Sequence, residues 1–154
     1  MKILLLSAAL LLNACHAQTP NHPPAQEQTM KTPTAQSARI IVNHQPFEIE
    51  LANNPIAQAF AELLPLELSM KDHLGNEKFA ALPKSLPSDD KRAGQIHAGD
   101  VMLYQGKTLV VFYENFHSNY RYTRIGRITQ TDTLQNALGS DGVNVSVESG
   151  RLKD

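Results

Sequence analysis

Residues 95–128 read QIHAGDVMLYQGKTLVVFYENFHSNYRYTRIGRI, and the fold turns on how this stretch is interpreted. Val101 to Tyr104 and Leu109 to Tyr113 are almost unbroken apolar runs rich in β-branched and aromatic residues, which suit pleated backbone. Gln105-Gly106-Lys107 joins them, a length and composition that predict a hairpin. A strand with one wet face alternates, so continuous apolarity requires cover on both faces, or a barrel wall roofed by a helix. The return segment Tyr120 to Ile128 does alternate. It is predicted to place Tyr120, Tyr122 and Arg124 on one face and Arg121, Thr123, Ile125 and Arg127 on the other, with Gly126 as a point for a bend or bulge.

Upstream, Arg39 to Asn43 and Phe47 to Leu51 are short β runs joined by a turn over Asn43-His44-Gln45-Pro46. Asn54-Pro55 opens a helix, because Asn54 can accept from free backbone donors and Pro55 forfeits no bond in the first turn. Ile56, Ala59, Phe60, Leu63 and Leu64 then fall on one helical face, and Pro65 ends it. Leu66, Leu68 and Met70 alternate as a strand, His73-Leu74-Gly75-Asn76 turns the chain, and Phe79 to Leu82 is a further short strand. Pro83 to Gly94, with the charge run Asp89-Asp90-Lys91-Arg92, reads as a solvated loop. Downstream, Thr133 to Leu138 is a short helix stopped at Gly139, and Val143, Val145 and Val147 alternate as a final strand.

The 154 residues suffice for one domain. A formal charge of −1 argues against a nucleic-acid binder, which needs a basic excess to neutralise phosphates. Ile3 to Leu12, behind the single charge of Lys2, is an apolar run too short to span a bilayer and reads as the core of a secretory signal. Leu12-Asn13-Ala14-Cys15 resembles the lipobox of bacterial lipoproteins, which implies lipidation at Cys15 and a membrane anchor. The alternative is plain export with cleavage after Ala17. Cys15 is the chain's one cysteine, so the mature domain has neither a disulfide nor a thiol nucleophile. Residues 16–38, rich in Pro, Gln and Thr, read as a flexible tether. The expected layout is therefore a leader over 1–15, a tether over 16–38 and a domain over 39–154, located at the cell envelope.

The order of elements, together with NPIAQAFAELLPLELSM, AGDVMLYQGKTLVVFY and YTRIGRI, resembles the cyclophilin-like family over residues 39–149. The nearest likeness is to its bacterial members of unassigned activity. IGRITQTDTLQNAL is similar to the part of true cyclophilins where a strand runs into the second helix. The resemblance implies a mainly β fold, a closed barrel with two helices plugging its ends. True cyclophilins isomerise X-Pro bonds, working on an amide barrier of about 18–20 kcal/mol. They use an arginine from a Phe-His-Arg motif just after the first helix, beside an apolar pocket. Here that region reads LELSMKDHLG, with no arginine between Arg39 and Arg92.

Candidate site residues concentrate in Tyr113, Phe116, His117, Tyr120, Arg121, Tyr122 and Arg124. Aromatics can floor a ligand site while an arginine reads a carboxylate or carbonyl; equally, such residues pack across neighbouring strands. His44, His73, His97 and His117 have no metal-ligand spacing, so no metal is expected, and no cofactor motif is present. Ser118, His117 and Asp100 could supply a triad, but no nucleophile-elbow sequence supports one; Asp100 reads instead as the end of a turn and the start of a strand. The sequence thus predicts a monomeric module that binds a peptide or small molecule. A divergent prolyl isomerase and a structural or protein-interaction module of the envelope are the alternatives.

Overall fold

The two apolar runs form the centre of one wall in the computed structural model, which describes residues 37–150. The elements in chain order are β1 (Ser37–Val42), β2 (Gln45–Leu51), α1 (Pro55–Ala61), β3 (Leu66–His73), β4 (Glu77–Ala81), β5 (Lys91–Ile96), β6 (Asp100–Tyr104), β7 (Thr108–Phe112), β8 (Phe116–Ile128), α2 (Leu134–Leu138) and β9 (Val143–Ser149). The leader with Cys15, and the tether up to residue 36, lie outside the described residues.

Eight strands run in the order β2-β1-β9-β3-β4-β7-β6-β8, and β8 pairs back onto β2, so the sheet closes into a barrel. All of these pairings are antiparallel. Closure removes free sheet edges. It occurs where Leu51 and Gly126 are partners. A Cβ on Gly126 would stand 2.4 Å from the backbone oxygen of Glu50, so the strands meet this closely only because residue 126 is glycine.

Alternation supplies the interior. Ile40 and Val42, Phe47 and Ile49, Val101 and Leu103, Leu109 and Val111, and Val145 and Val147 all point into one buried cluster. The helices cover what the strands leave open. The side chain of Asn54 accepts from the Ala57 backbone N–H at 2.7 Å and starts α1 as expected. Phe60 from α1, with Leu134 and Leu138 from α2, then joins the same cluster. Each such side chain contributes about 1.5–3 kcal/mol by leaving water. The first helix is shorter than predicted: it ends at Ala61, and Leu63 and Leu64 pack on the core from the turn that follows.

Two expectations need correction. The segment predicted as a solvated loop, Pro83 to Gly94, runs into β5, whose first four residues it holds and which pairs with the first half of β8. Its apolar signal is weak because only Ile96 is fully buried. The rest of that segment is an ordered strap. Leu82 and Leu86 donate backbone bonds to Lys107 and Gly106 and bury their side chains in the barrel cluster. Secondly, β8 does not alternate through its length. One extra residue bulges opposite β5 between Ser118 and Arg121, and another opposite β6 between Arg124 and Gly126. Each bulge reverses the phase of the side chains beyond it. Between the bulges Tyr122 and Thr123 point to opposite faces, Tyr122 into the outer cover and Thr123 alongside the inward Leu103, and both are buried, while Tyr120, Arg121 and Arg124 are exposed.

Candidate functional site

The outer faces of β6 and β7 are also apolar. Met102, Val110 and Phe112 form a second, smaller cluster with Ile96 and Tyr122. What covers this face is the first half of β8 with β5, where a helix had been one of the possibilities. Phe112 takes Phe116 at 5.6 Å between ring centroids and Tyr122 edge-on at 5.5 Å. This cover is incomplete, and a cleft of about 600 Å³ remains beside it.

One wall of the cleft is the β3–β4 turn, with His73, Leu74 and Asn76; the other is the start of β8, from Phe116 to Tyr120. Its floor is Phe79, Tyr104, Val110 and Tyr122, which come together because their strands are in register. Phe79 pairs with Val110 across β4 and β7, and Tyr104 pairs with Thr108 across β6 and β7. Tyr104 packs against Tyr122 at 5.5 Å and edge-on against Tyr120 at 6.4 Å. Such contacts hold aromatic rings in fixed orientations.

The cleft's charge comes from Glu77, which shares the outward face of β4 with Phe79; no lysine or arginine lines it. Burial pushes the Glu77 carboxyl above its ordinary range, with the charge of His73 acting the other way. Burial also pushes the Tyr122 phenol up to about 12, helped by the negative charge of Glu77. Both shifts describe a partly dry site in which new negative charge is disfavoured.

The predicted residues divide among several places. Phe116, His117, Tyr120 and Tyr122 line the cleft. Tyr113 lies in the barrel cluster, where its hydroxyl donates to Asp72 and its phenol is pushed well above the usual range, by burial first and by that bond. Asp72 also accepts from the fully buried Lys78 at 2.7 Å, and Lys78 donates to the carbonyl of Asp141 at 2.6 Å. Arg121 donates to the carbonyl of Asp90 at 2.7 Å, tying down the strap. Arg124 reaches the buried Asp100 at 3.5 Å and borders a smaller hollow of about 330 Å³ between α1 and β5. Asp100 accepts from the backbone N–H of His97 and starts β6, as the sequence suggested. Its partner on β8 is Arg127, ten residues along the strand from His117, and no triad forms. Among the described residues no group of three His, Cys, Asp or Glu side chains gathers to hold a metal.

The sequence reading did not single out Phe79, Tyr104, Glu77 or the turn carrying Leu74. Its one available signal was Leu74 itself, a large apolar residue in a turn. Leu74 takes a left-handed φ of 55° and is 81 % exposed, and Tyr120 is 66 % exposed. Among the described residues these two are the large hydrophobic side chains left in water, and both line the cleft.

A closed antiparallel barrel with two covering helices and an aromatic cleft outside one wall defines a cyclophilin-type domain. Residues 40–148 match the Cyclophilin-like family, and the chain belongs to it. A hypothetical protein from Archaeoglobus fulgidus, whose structure was determined in solution, is similar over 79 % of this chain and all of its own, with 24 % identity and a TM-score of 0.53. McbB, whose structure holds tryptophan, is similar over 76 % of this chain and 46 % of its own, with 13 % identity and a TM-score of 0.51. At these identities the likeness concerns the fold alone. No curated protein matches the chain.

Proposed function

We propose that this chain is an exported binding module, lipid-anchored through Cys15 at a bacterial envelope, whose outer cleft takes a peptide or small ligand without chemical turnover. The observation that carries this reading is the cleft itself: about 600 Å³, floored by aromatic rings and rimmed by two exposed apolar side chains. Sites for small ligands have this size and this mixture of apolar floor and few polar groups. Of the residues expected to form the site, Phe116, His117, Tyr120 and Tyr122 line it. The cleft offers no arginine to donate to a prolyl nitrogen, and β3, which follows the first helix, contains none. That favours a binder over an isomerase.

A peptide library screened by thermal shift and by chemical-shift perturbation tests the reading. Ligands are expected to move the resonances of Tyr104, Tyr122 and Phe79; hits that move only residues of the smaller hollow would relocate the site. A protease-coupled assay on proline peptides is expected to return the uncatalysed rate, and acceleration would make the domain an enzyme. The anchor has its own test: palmitate labelling should vanish in Cys15→Ser, and labelling that persists rejects it.

A further inference from the structure

The physical character of the cleft narrows its ligand. Alternation along β4 turns Lys78 and Ala80 inward and leaves Glu77 and Phe79 on the outer face. Glu77 is half-buried, and among the described residues its carboxylate has neither a hydrogen bond nor an ion pair. Partly desolvating a carboxylate is costly, and here the charge of His73, its cross-strand neighbour, offsets part of that cost without a hydrogen bond or an ion pair. Beside it, the side-chain oxygen of Asn76 is buried and accepts no hydrogen bond, a second acceptor without a donor at the same end of the cleft. The surrounding lining is rich in tyrosine and phenylalanine rings, Phe79, Tyr104, Phe116, Tyr120 and Tyr122.

We infer that the cleft takes a basic side chain of an otherwise apolar peptide, its cation held over the faces of Tyr104 and Tyr122 and drawn to the carboxylate of Glu77; this rests on the binding-module reading above. Cations over aromatic faces are attracted by the ring quadrupole, more strongly where water is excluded. An anionic ligand would be opposed by Glu77, and a neutral one would leave that carboxylate unpaired. A peptide is favoured over a free amine by the rims. Leu74 and Tyr120 both line the cleft and leave most of their surface in water, Tyr120 touching Tyr104 only by its edge, so they provide contacts for apolar residues flanking the basic one. A small free amine would touch neither.

The test uses the purified full chain and three capped pentapeptides that differ at the centre, Lys, Gln or Glu, each between Leu and Phe. Cadaverine is the free-amine probe. By calorimetry the lysine peptide should bind about tenfold more tightly than the glutamine peptide, and the glutamate peptide most weakly. Glu77→Gln, which preserves shape, should cut the Lys-over-Gln preference several-fold while the glutamine peptide binds as before. Tyr104→Leu should reduce the preference with Glu77 intact. Equal binding of the Lys and Gln peptides, or a preference unaffected by Glu77→Gln, overturns the cation assignment while leaving a binding module in place. Cadaverine binding as tightly as the lysine peptide overturns the peptide assignment. If no probe binds and no cleft resonance moves, the binding-module reading fails and this inference fails with it.

Discussion

The strands β6 and β7 have two apolar faces with different fates. Inward, Val101, Leu103, Leu109 and Val111 lie within 1 % of complete burial, sealed by the rest of the barrel, two helices and the strap. Outward, Met102, Val110 and Phe112 are covered by β5 and the start of β8, and beside them Phe79 and Tyr104 are half-exposed around a cleft. The composition of the two faces is alike. What separates them is closure: the inner face is enclosed on all sides, whereas the outer face has a partial cover that ends. Apolar content alone therefore does not distinguish a core from a binding surface; the completeness of its cover does.

The inner region should dominate stability, and its most sensitive point is polar. Lys78 is fully buried and held by Asp72 and by the Asp141 carbonyl. Asp72→Asn removes the counter-charge and leaves a buried ammonium, with an expected loss of about 3–5 kcal/mol in denaturant unfolding. Lys78→Met should cost much less, because it removes the charge that needs compensation and keeps apolar volume. The bonds from Lys78 and Tyr113 lower the Asp72 pKa. Its contribution is therefore full above the ordinary aspartate range and is lost as pH falls through the lowered folded value. Equal losses from the two substitutions would contradict this account.

Next in size is the closing seam. Gly126→Ala places a methyl 2.4 Å from the Glu50 oxygen and 3.0 Å from a methyl of Ile49. Backbone cannot yield as a side-chain tip does, so an overpacking loss of about 1–3 kcal/mol or more is expected. Ligand binding in the outer cleft should survive in the folded fraction. A cleft abolished together with the seam, at temperatures where the barrel is intact, would show the two faces to be one unit.

A smaller effect separates the faces by pH. The Tyr122 phenol, on the outer face, ionises near 12 when folded against 10.0 as its ordinary value. The folded state thus holds this proton more firmly, so the stability tied to it is present below pH 10 and lost as pH rises toward 12. Tyr122→Phe should flatten that part of the alkaline unfolding profile. An unchanged slope would mean that Tyr113, inside the barrel and shifted in the same direction, accounts for all of it.

How legible this molecule was follows from where its signals are local. Asn54-Pro55, the Gln105-Gly106 hairpin and the valine alternation of β9 depend on nearest neighbours, and the structure has each of them. Strand β5 was hidden because Lys91, Arg92 and Gln95 are charged or polar and only tertiary pairing with β8 makes them a strand. The phase of β8 was hidden for a related reason. Its bulges depend on the partners opposite Asn119, Tyr120 and Ile125, and no periodicity within one strand reveals them. The cleft suffered most. Four of the predicted site residues, Phe116, His117, Tyr120 and Tyr122, do line it, but Glu77, Phe79 and Leu74 come from a hairpin some forty residues earlier. Barrel topology brings β4 beside β7, and only that adjacency makes the two segments one surface.

The smallest expected effect on stability is the most telling for function. Tyr120 lies in a bulge, is 66 % exposed and touches Tyr104 edge-on at 6.4 Å. Tyr120→Ala removes little buried area, so unfolding should change by no more than about 0.5 kcal/mol. A core residue of this size would cost about 3–5 kcal/mol on the same truncation. If Tyr120 is a wall of the cleft, peptide affinity should fall several-fold while stability stays level. If it is an edge packing residue, stability should drop and affinity follow only as the folded fraction does. Measuring both on one variant separates surface that completes a fold from surface that the fold holds out to a partner.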